Sequence, residues 1–185
     1  ASMDALNSVY GEKCLLRKEI IEDAFSFSQV LDAVSHLQKP GLALSLCLRD
    51  RSYLDEARQL YRRHQKRLIS TLKSVKGANL NHITYIHVEN REFTGPIATV
   101  FSRYMNPGKP VLVLSRREEQ TRVSARCERR LVERGLDLAA VMSKASVKVG
   151  GSGGGHEIAA GASIPPRKEN EFLSLVDKMV GEVIG

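Results

Sequence analysis

Length, composition and charge bound the class of protein. The chain has 185 residues, 42% hydrophobic and 26% charged, which is ordinary for a soluble globular protein of one good-sized domain or two small ones. No apolar run approaches the roughly 18 residues of a membrane-spanning helix, so we expect no membrane partner. Three scattered cysteines without a CxxC pair argue against a disulfide framework or zinc knuckle and favour a reducing cytoplasm.

The net charge of +7 is concentrated in two segments. Residues 49–76 carry nine basic and three acidic side chains, and residues 103–134 carry nine and four. Two basic patches on an otherwise slightly acidic chain favour a polyanionic partner, either a nucleic acid or a phosphorylated small molecule. For a single basic helix, a solvated surface is the simpler alternative.

The N-terminal part of the chain predicts helices. Ser26 or Ser28 is placed to cap a first helix, which Pro40-Gly41 would end. The apolar run 42–48 that follows is too short to distinguish a helix from a strand.

A long helix is predicted over residues 53–76. Ser52 with Asp55 forms a capping-box pattern, and apolar residues then recur at spacings of three, four or seven. We expect a domain boundary after this helix. The predicted organisation is a helical N-terminal segment over 1–77 and a second domain over 78–185.

The second domain alternates between strand and helix patterns in the order β-α-β-β-α-β-α. Strands are expected at 83–88, 111–114, 121–126 and 162–164, and helices after Thr94, after Asp137 and over 172–183. This order predicts an α/β fold, with a mixed β-sheet flanked by helices and preceded by the helical N-terminal segment.

The glycine-rich run Gly150–His156 is the strongest chemical signal. Glycines leave backbone N–H groups uncovered, so successive amides can converge on an anion. We expect a loop here, with a helical turn beginning near His156 that adds its positive dipole end. A flexible linker is the alternative interpretation, but the apolar residues Ile158–Ala160 follow at once and have the character of packed residues.

The strand predicted over 121–126 provides a second signal. Its period of two places Arg122, Ser124 and Arg126 on one face. A guanidinium matches phosphate geometry bidentately, and a serine hydroxyl can share the same anion. An ordinary solvent-facing sheet surface is the alternative. No cluster of Asp and His able to hold divalent metals occurs, so we expect no cofactor in this chain.

Taken together, these signals resemble one family. Gly153–Ala162 is similar to the GGGHxxAAGA signature of the domain that follows the catalytic domain in DHH phosphoesterases, among them RecJ single-strand exonucleases, oligoribonucleases and archaeal RecJ-like proteins. Further similar segments follow the family order over residues 83–166, at Thr94–Ala98, Lys109–Leu114, Val123–Arg126 and Gly135–Ala139.

The resemblance implies a phosphate-binding role. By that match His156 and Arg126 hold the substrate phosphate, with Ser124 and the backbone of Gly153, Gly154 and Gly155 assisting. The family's Asp-His-His motif, which binds two Mn²⁺ or Mg²⁺ ions, is absent from the sequence. We therefore expect a catalytically inactive fragment of a hydrolase, whose partners are single-stranded nucleic acid and the catalytic DHH domain of its parent chain.

Further contacts and two alternative functions complete these expectations. Arg122 and the basic helix residues Arg62, Arg63 and Lys66 are candidates to extend the contact along a nucleic-acid backbone. One alternative is a protein-docking module that tethers the parent nuclease to replication proteins. The other is recognition of small nucleotides, such as oligoribonucleotides or cyclic dinucleotides.

Overall fold

The computed structural model describes residues 13–185, which divide into two compact units between Arg67 and Leu68. Residues 1–12, the start of the predicted segment 1–77, lie outside the described residues. The division falls inside the long helix, ahead of the boundary predicted after residue 77. Among residues 13–185, no helix combines the length and apolar character that a membrane crossing requires.

The first unit contains helices α1 (Ala24–His36) and α2 (Pro40–Cys47) and the start of α3 (Leu54–Ser74). Apolar side chains from all three helices form one core, because each helix turns one face inward. The buried members of this core are Phe27, Val30, Val34, Leu46, Ala57 and Leu60.

Two local predictions for the first unit need correction. The residue that caps α1 is Asp23, whose carboxylate accepts from the Ser26 N–H at 2.7 Å, because the chain becomes helical earlier than the apolar pattern indicates. The run 42–48 lies largely within α2. Pro40 occupies the first turn of that helix, where its fixed φ and missing N–H are tolerated, so it begins a helix as well as following one.

The long helix α3 lies close to its predicted bounds of 53–76. Its start differs from the expected capping box. The Asp50 carboxylate accepts from the Ser52 N–H at 3.0 Å and caps a short 3-10 turn, Arg51–Tyr53, which leads into α3. Asp50 therefore takes the capping role that the sequence pattern gives to Ser52.

The second unit is built on a six-stranded mixed sheet, which confirms the predicted α/β class. The strands are β1 (Ala78–Asn79), β2 (Thr84–His87), β3 (Val111–Arg116), β4 (Thr121–Arg126), β5 (Ser152–His156) and β6 (Ala159–Ile164). They lie in the order β1-β2-β3-β4-β6-β5, and only the β2–β3 pair is parallel among them. The helices are α4 (Thr94–Val100), α5 (Arg129–Glu133), α6 (Leu138–Lys148) and α7 (Glu169–Ile184).

The two faces of the sheet are covered differently. On one face, side chains of β3, β4 and β6 form a core with α6 and α7, and Leu112, Val123 and Ala162 are among its buried members. On the other face, α4 covers β2 and β3 through a smaller core that includes Ile97 and Val113. We call the first the helix-pair face and the second the cleft face.

A buried carboxylate fixes α7 to the sheet. Glu169, whose side chain is 9% exposed, accepts from the Arg116 Nε at 3.1 Å and from the Thr121 hydroxyl, and lies 3.2 Å from the His87 Nε2. Because these partners come from β3, β4 and β2, one side chain ties three neighbouring strands to the first residue of α7. A buried charge with this many partners matters for stability mainly because its removal would leave these partners without a hydrogen-bond acceptor.

Candidate functional site

Three cross-strand rows define the candidate site on the cleft face. Directly opposed residues of antiparallel strands point to the same face, so each row presents its side chains together. The rows across β4, β6 and β5 are Arg126–Ala159–His156, Ser124–Gly161–Gly154 and Arg122–Ser163–Ser152. The register thus groups on one face Arg122, Ser124, Arg126 and His156, four side chains that the sequence singles out from segments far apart in the chain.

The glycine-rich run is a strand rather than the expected loop. Ser152–His156 forms the edge strand β5, and the chain turns at Glu157 and Ile158 into β6 instead of beginning a helix near His156. The reason is packing. A Cβ on Gly155, whose φ is +144°, would lie 2.6 Å from the Ala159 carbonyl oxygen, so only glycine allows the hairpin to close this tightly.

The glycines divide into two groups by face. Gly153 and Gly155 pair with Ala162 and Ala160 on the helix-pair face, where a Cβ on Gly153 would lie 2.7 Å from the Met142 carbonyl oxygen. Gly154 lies on the cleft face of the sheet, and no heavy atom of the described residues comes within 4 Å of the position that its Cβ would take. Close packing therefore explains why positions 153 and 155 are glycine, whereas the space beside Gly154 would accommodate a side chain.

The hairpin turn is anchored by two backbone hydrogen bonds. The Cys127 N–H donates to the Ile158 carbonyl at 3.2 Å, and the Leu138 N–H donates to the Glu157 carbonyl at 3.1 Å. These contacts fix the position of His156 at the end of β5. The Cys127 thiol lies in the same place, and burial, with the nearby carboxylates of Glu157 and Glu128, raises its pKa to about 11.

A chain of hydroxyl contacts joins β4 to the start of α4. The Ser124 hydroxyl donates to the Thr94 Oγ1 at 2.9 Å, and the Thr94 hydroxyl donates to the Arg91 carbonyl at 2.9 Å. The helix expected after Thr94 begins at Thr94 itself, whose hydroxyl points back to the preceding 3-10 turn, Arg91–Phe93. Ser124 is thereby held at the entrance to α4.

Arg126 lies half-buried beside the first turn of α4. Its Nη1 donates to the Ala125 carbonyl at 2.9 Å, and its Nη2 lies 3.7 Å from where a Cβ on Gly95 would stand. Burial lowers the pKa of Arg126, but an arginine remains charged at neutral pH. A partly desolvated guanidinium attracts an anion more strongly than one surrounded by water.

A cleft of about 460 Å³ opens between β4, β6, β5 and the start of α4. No carboxylate is among the described residues that line it, whereas two arginines are. The Arg122 Nε is buried and has no hydrogen-bond partner among the described residues. The lining residues are Arg91, Thr94, Arg122, Val123, Ser124, Ser152, Gly153, Gly161, Ala162 and Ser163.

The basic helix residues lie on α3 in the first unit. Arg62 lines a separate cleft of about 620 Å³, which Arg51 and Arg58 also line. Arg63 and Lys66 are exposed and do not line this cleft. The structure therefore distinguishes Arg62 from its two neighbours.

Sequence reasoning missed four polar residues of the cleft, namely Arg91, Thr94, Ser152 and Ser163. Counting by twos back from His156 would have placed Ser152 on the face of Gly154, if the glycine run had been recognised as a strand. Ser163 follows in the same way from β6. No local signal in the sequence indicates Arg91, since it enters the cleft from a turn.

The chain does not offer ligands for a metal centre within the described residues. No three His, Cys, Asp or Glu side chains between residues 13 and 185 come together as such a centre requires. The two ions that the resemblance assigns to a separate catalytic domain therefore do not fit this part of the chain. The donors that the cleft does provide are guanidinium and hydroxyl groups.

Fold and cleft together define an α/β domain whose exposed sheet face carries a basic, small-residue cleft. Residues 71–182 match the DHHA1 domain family. The chain therefore belongs to the DHHA1 domain family.

Relatives and solved structures agree with this assignment. The chain is 35% identical over 175 residues to the uncharacterized protein MJ0831 of Methanocaldococcus jannaschii, covering 92% of this chain but only 39% of that protein. Its fold matches RecJ from Thermus thermophilus, solved in complex with Mn²⁺, with a TM-score of 0.66 at 18% identity over 86% of this chain and 24% of RecJ. It also matches PggH, a pGpG-specific phosphodiesterase from Vibrio cholerae, with a TM-score of 0.54 at 12% identity over 98% and 66% of the two chains.

Proposed function

We propose that this chain is the phosphate-binding module of a RecJ-like DHH protein that acts on single-stranded nucleic acid. One observation carries the proposal: the β4–β6–β5 register aligns Arg126, Ser124, Gly154 and His156 on the open part of one sheet face. Family membership supports a role in nucleic-acid or nucleotide chemistry.

Each group has a distinct task in this proposal. Arg126 supplies the positive charge. Its Nη1 donates to the Ala125 carbonyl, and its Nη2 lies beside the first turn of α4, where it can donate to a ligand. His156, exposed across the row, donates a hydrogen bond from a ring nitrogen. Ser124 orients the phosphate through its hydroxyl, and Gly154 leaves room for a ligand to approach the β5 backbone.

Hydrolysis is assigned to a separate domain in this proposal. The described residues provide donors that bind and orient a phosphate, but no ligand set to activate a water through two metals. The module would hold the strand while the catalytic DHH domain of the parent chain acts on it. We accordingly expect binding without cleavage when this chain is supplied with Mn²⁺.

Binding of a 5′-phosphorylated single-stranded oligonucleotide, followed by fluorescence anisotropy across a salt series, tests the proposal. Arg126→Ala and His156→Ala should each weaken binding about tenfold or more, because each removes a hydrogen bond to a charged group. The matched control is Arg103→Ala, which removes an exposed arginine from the turn after α4. Unchanged binding by both site variants at low salt would defeat the proposal.

Small-nucleotide recognition is a second candidate function. The cleft volume of about 460 Å³ lies within the range of small-ligand sites. PggH, which shares the fold, is a pGpG-specific phosphodiesterase. Titration with mononucleotides, dinucleotides and longer strands separates this candidate from the first, since a small-nucleotide module gains nothing from added length.

Docking to replication proteins is favoured by one feature of the first unit. The most exposed large apolar side chains there are Phe25 and Leu48 at 73% and Leu44 at 61%. Exposed apolar residues of this size can serve as a contact for another protein. Oligonucleotide binding that survives their replacement by serine, together with lost binding to a partner, would separate docking from strand recognition.

A further inference from the structure

The cleft lies beside the Arg126 row and not over it. Its lining includes Arg122, Ser152 and Ser163, which form the third cross-strand row, whereas neither Arg126 nor His156 lines it. Arg122 and Arg126 are four residues apart on one strand, a separation of about 13 Å between their Cα atoms. The two guanidinium groups also have different surroundings, since Arg126 lies beside Gly95 and only Arg122 lines the cleft, so the two arginines face different positions along a ligand.

Arg122 has hydrogen-bonding capacity that the described residues do not satisfy. Its Nε is buried and lacks a hydrogen-bond partner among the described residues, which is costly for a charged group. Arg91 lines the same end of the cleft and adds a second positive charge. With no carboxylate among the described lining residues, both guanidinium groups remain available to a ligand.

The hydroxyl groups of Ser152 and Ser163 line the cleft beside Arg122. The Ser163 hydroxyl donates to the Gln120 Oε1, so its oxygen can only accept from a ligand. The Ser152 hydroxyl is exposed and makes no hydrogen bond to the described residues, so it can donate. Gly161, in the row next to Arg122, has no side chain to fill the cleft face, which leaves space for a ligand backbone to cross the sheet.

We infer that the Arg122 end of the cleft, with Arg91 and Ser152, is a second phosphate subsite, so that the module binds strands of three or more nucleotides rather than single nucleotides. This inference rests on the proposed function, since the first phosphate occupies the Arg126 row. Phosphates along a stacked strand rise about 3.4 Å per nucleotide and lie farther apart when the strand is extended. A span of about 13 Å therefore reaches beyond the neighbouring phosphate.

The test compares a 5′-phosphorylated mononucleotide, dinucleotide and tetranucleotide by titration calorimetry on the 185-residue chain. Arg122→Ala should weaken tetranucleotide binding about tenfold and leave mononucleotide binding unchanged. It should also lower the salt slope of the tetranucleotide by about 0.7, the value for one phosphate on a single strand. Arg126→Ala should weaken binding of all three ligands.

Because Arg122 is half-buried, its replacement can disturb folding as well as binding, and a second variant at an exposed position separates the two effects. Ser152→Glu places a negative charge at an exposed position of the same row and should weaken only the longer ligands, while Arg103→Ala should change none. If Arg122→Ala and Ser152→Glu bind the tetranucleotide as the unaltered chain does, while Arg126→Ala still loses the mononucleotide, the second subsite is overturned and the proposed function stands. If the unaltered chain binds none of the three ligands, both are overturned.

Discussion

The Ser146 Oγ lies 2.8 Å from the position that a Cβ would take on Gly153. Together with the Met142 carbonyl at 2.7 Å, this contact shows that α6 packs directly on the backbone of β5. Gly153→Ala should therefore lower the free energy of unfolding by about 1–3 kcal/mol, because the added methyl overpacks the interface. Denaturant unfolding followed by circular dichroism measures the change.

Gly154→Ala is the matched control for that experiment. The space around its virtual Cβ is empty within the described residues, and φ at this position is not in the left-handed region. We expect stability to stay unchanged or to rise by up to about 1 kcal/mol, because alanine restricts the unfolded chain. Equal losses at both positions would contradict the two-faced description of β5.

Gly154→Ala, which should leave stability intact, should lower the affinity for a ligand. If a ligand approaches the β5 backbone at Gly154, a methyl group there obstructs it while leaving the fold intact. Gly154→Ala should weaken binding of a phosphorylated oligonucleotide severalfold, with an unchanged melting temperature. Anisotropy and thermal melting on one preparation give both values, and undiminished affinity would show that the ligand does not pass over Gly154.

Glu169 should be the most sensitive carboxylate of the second unit. Glu169→Ala removes the shared acceptor of Arg116 and Thr121, and we expect a loss of about 2–3 kcal/mol in the free energy of unfolding. Glu171→Ala on the same helix is the control. Its ion pair with Lys168 is half-exposed, so its removal should cost less than about 1 kcal/mol. Comparable losses of stability in the two variants would argue against a stabilising role for the hydrogen bonds of Glu169.

The three cysteines should react at different rates. Cys14 and Cys47 are exposed, whereas Cys127 is buried with its pKa raised to about 11. Because the thiolate is the reactive form, a disulfide reagent at about pH 8 should titrate two thiols quickly and the third only after unfolding. Three equally fast thiols would contradict the burial of Cys127.

The raised pKa of Cys127 also links stability to pH. The folded protein holds this proton more tightly than the unfolded chain, whose thiol keeps the ordinary value of 9.0. Its contribution is therefore complete below pH 9 and is lost as the pH rises towards about 11. Replacing Cys127 by alanine should flatten this part of a stability-against-pH curve.

Side-chain patterns predicted much of the sheet, because burial of one face imposes alternation on β4 and burial of both faces imposes a continuous apolar run on β3. The pattern of β4 places Arg122, Ser124 and Arg126 on one face without any knowledge of the neighbouring strands. Strand β5 escaped prediction because glycine has no side chain to show alternation. Its strand conformation comes from pairing with β6 and from packing against Ser146 and Met142, and these long-range contacts leave no local trace.

Turns and caps were predicted less well than strands. Asp23 rather than Ser26 caps α1, and both residue types accept backbone N–H groups equally well, so local chemistry could not decide between them. The contribution of Arg91 to the cleft depends on how the 3-10 turn ahead of α4 meets β4. Such a contact is set by the tertiary fold alone.

The short turn at Glu157 and Ile158 has a consequence for how this family can change over evolutionary time. The carbonyls of both residues accept hydrogen bonds from the backbone N–H groups of Cys127 and Leu138. Because these bonds hold the turn in place, an inserted residue is forced into β5. A shift by one place would rotate every residue of that strand to the opposite side of the sheet, burying His156 and exposing the position of Gly153. Loop lengthening at this point would therefore invert the ligand-facing surface in a single step.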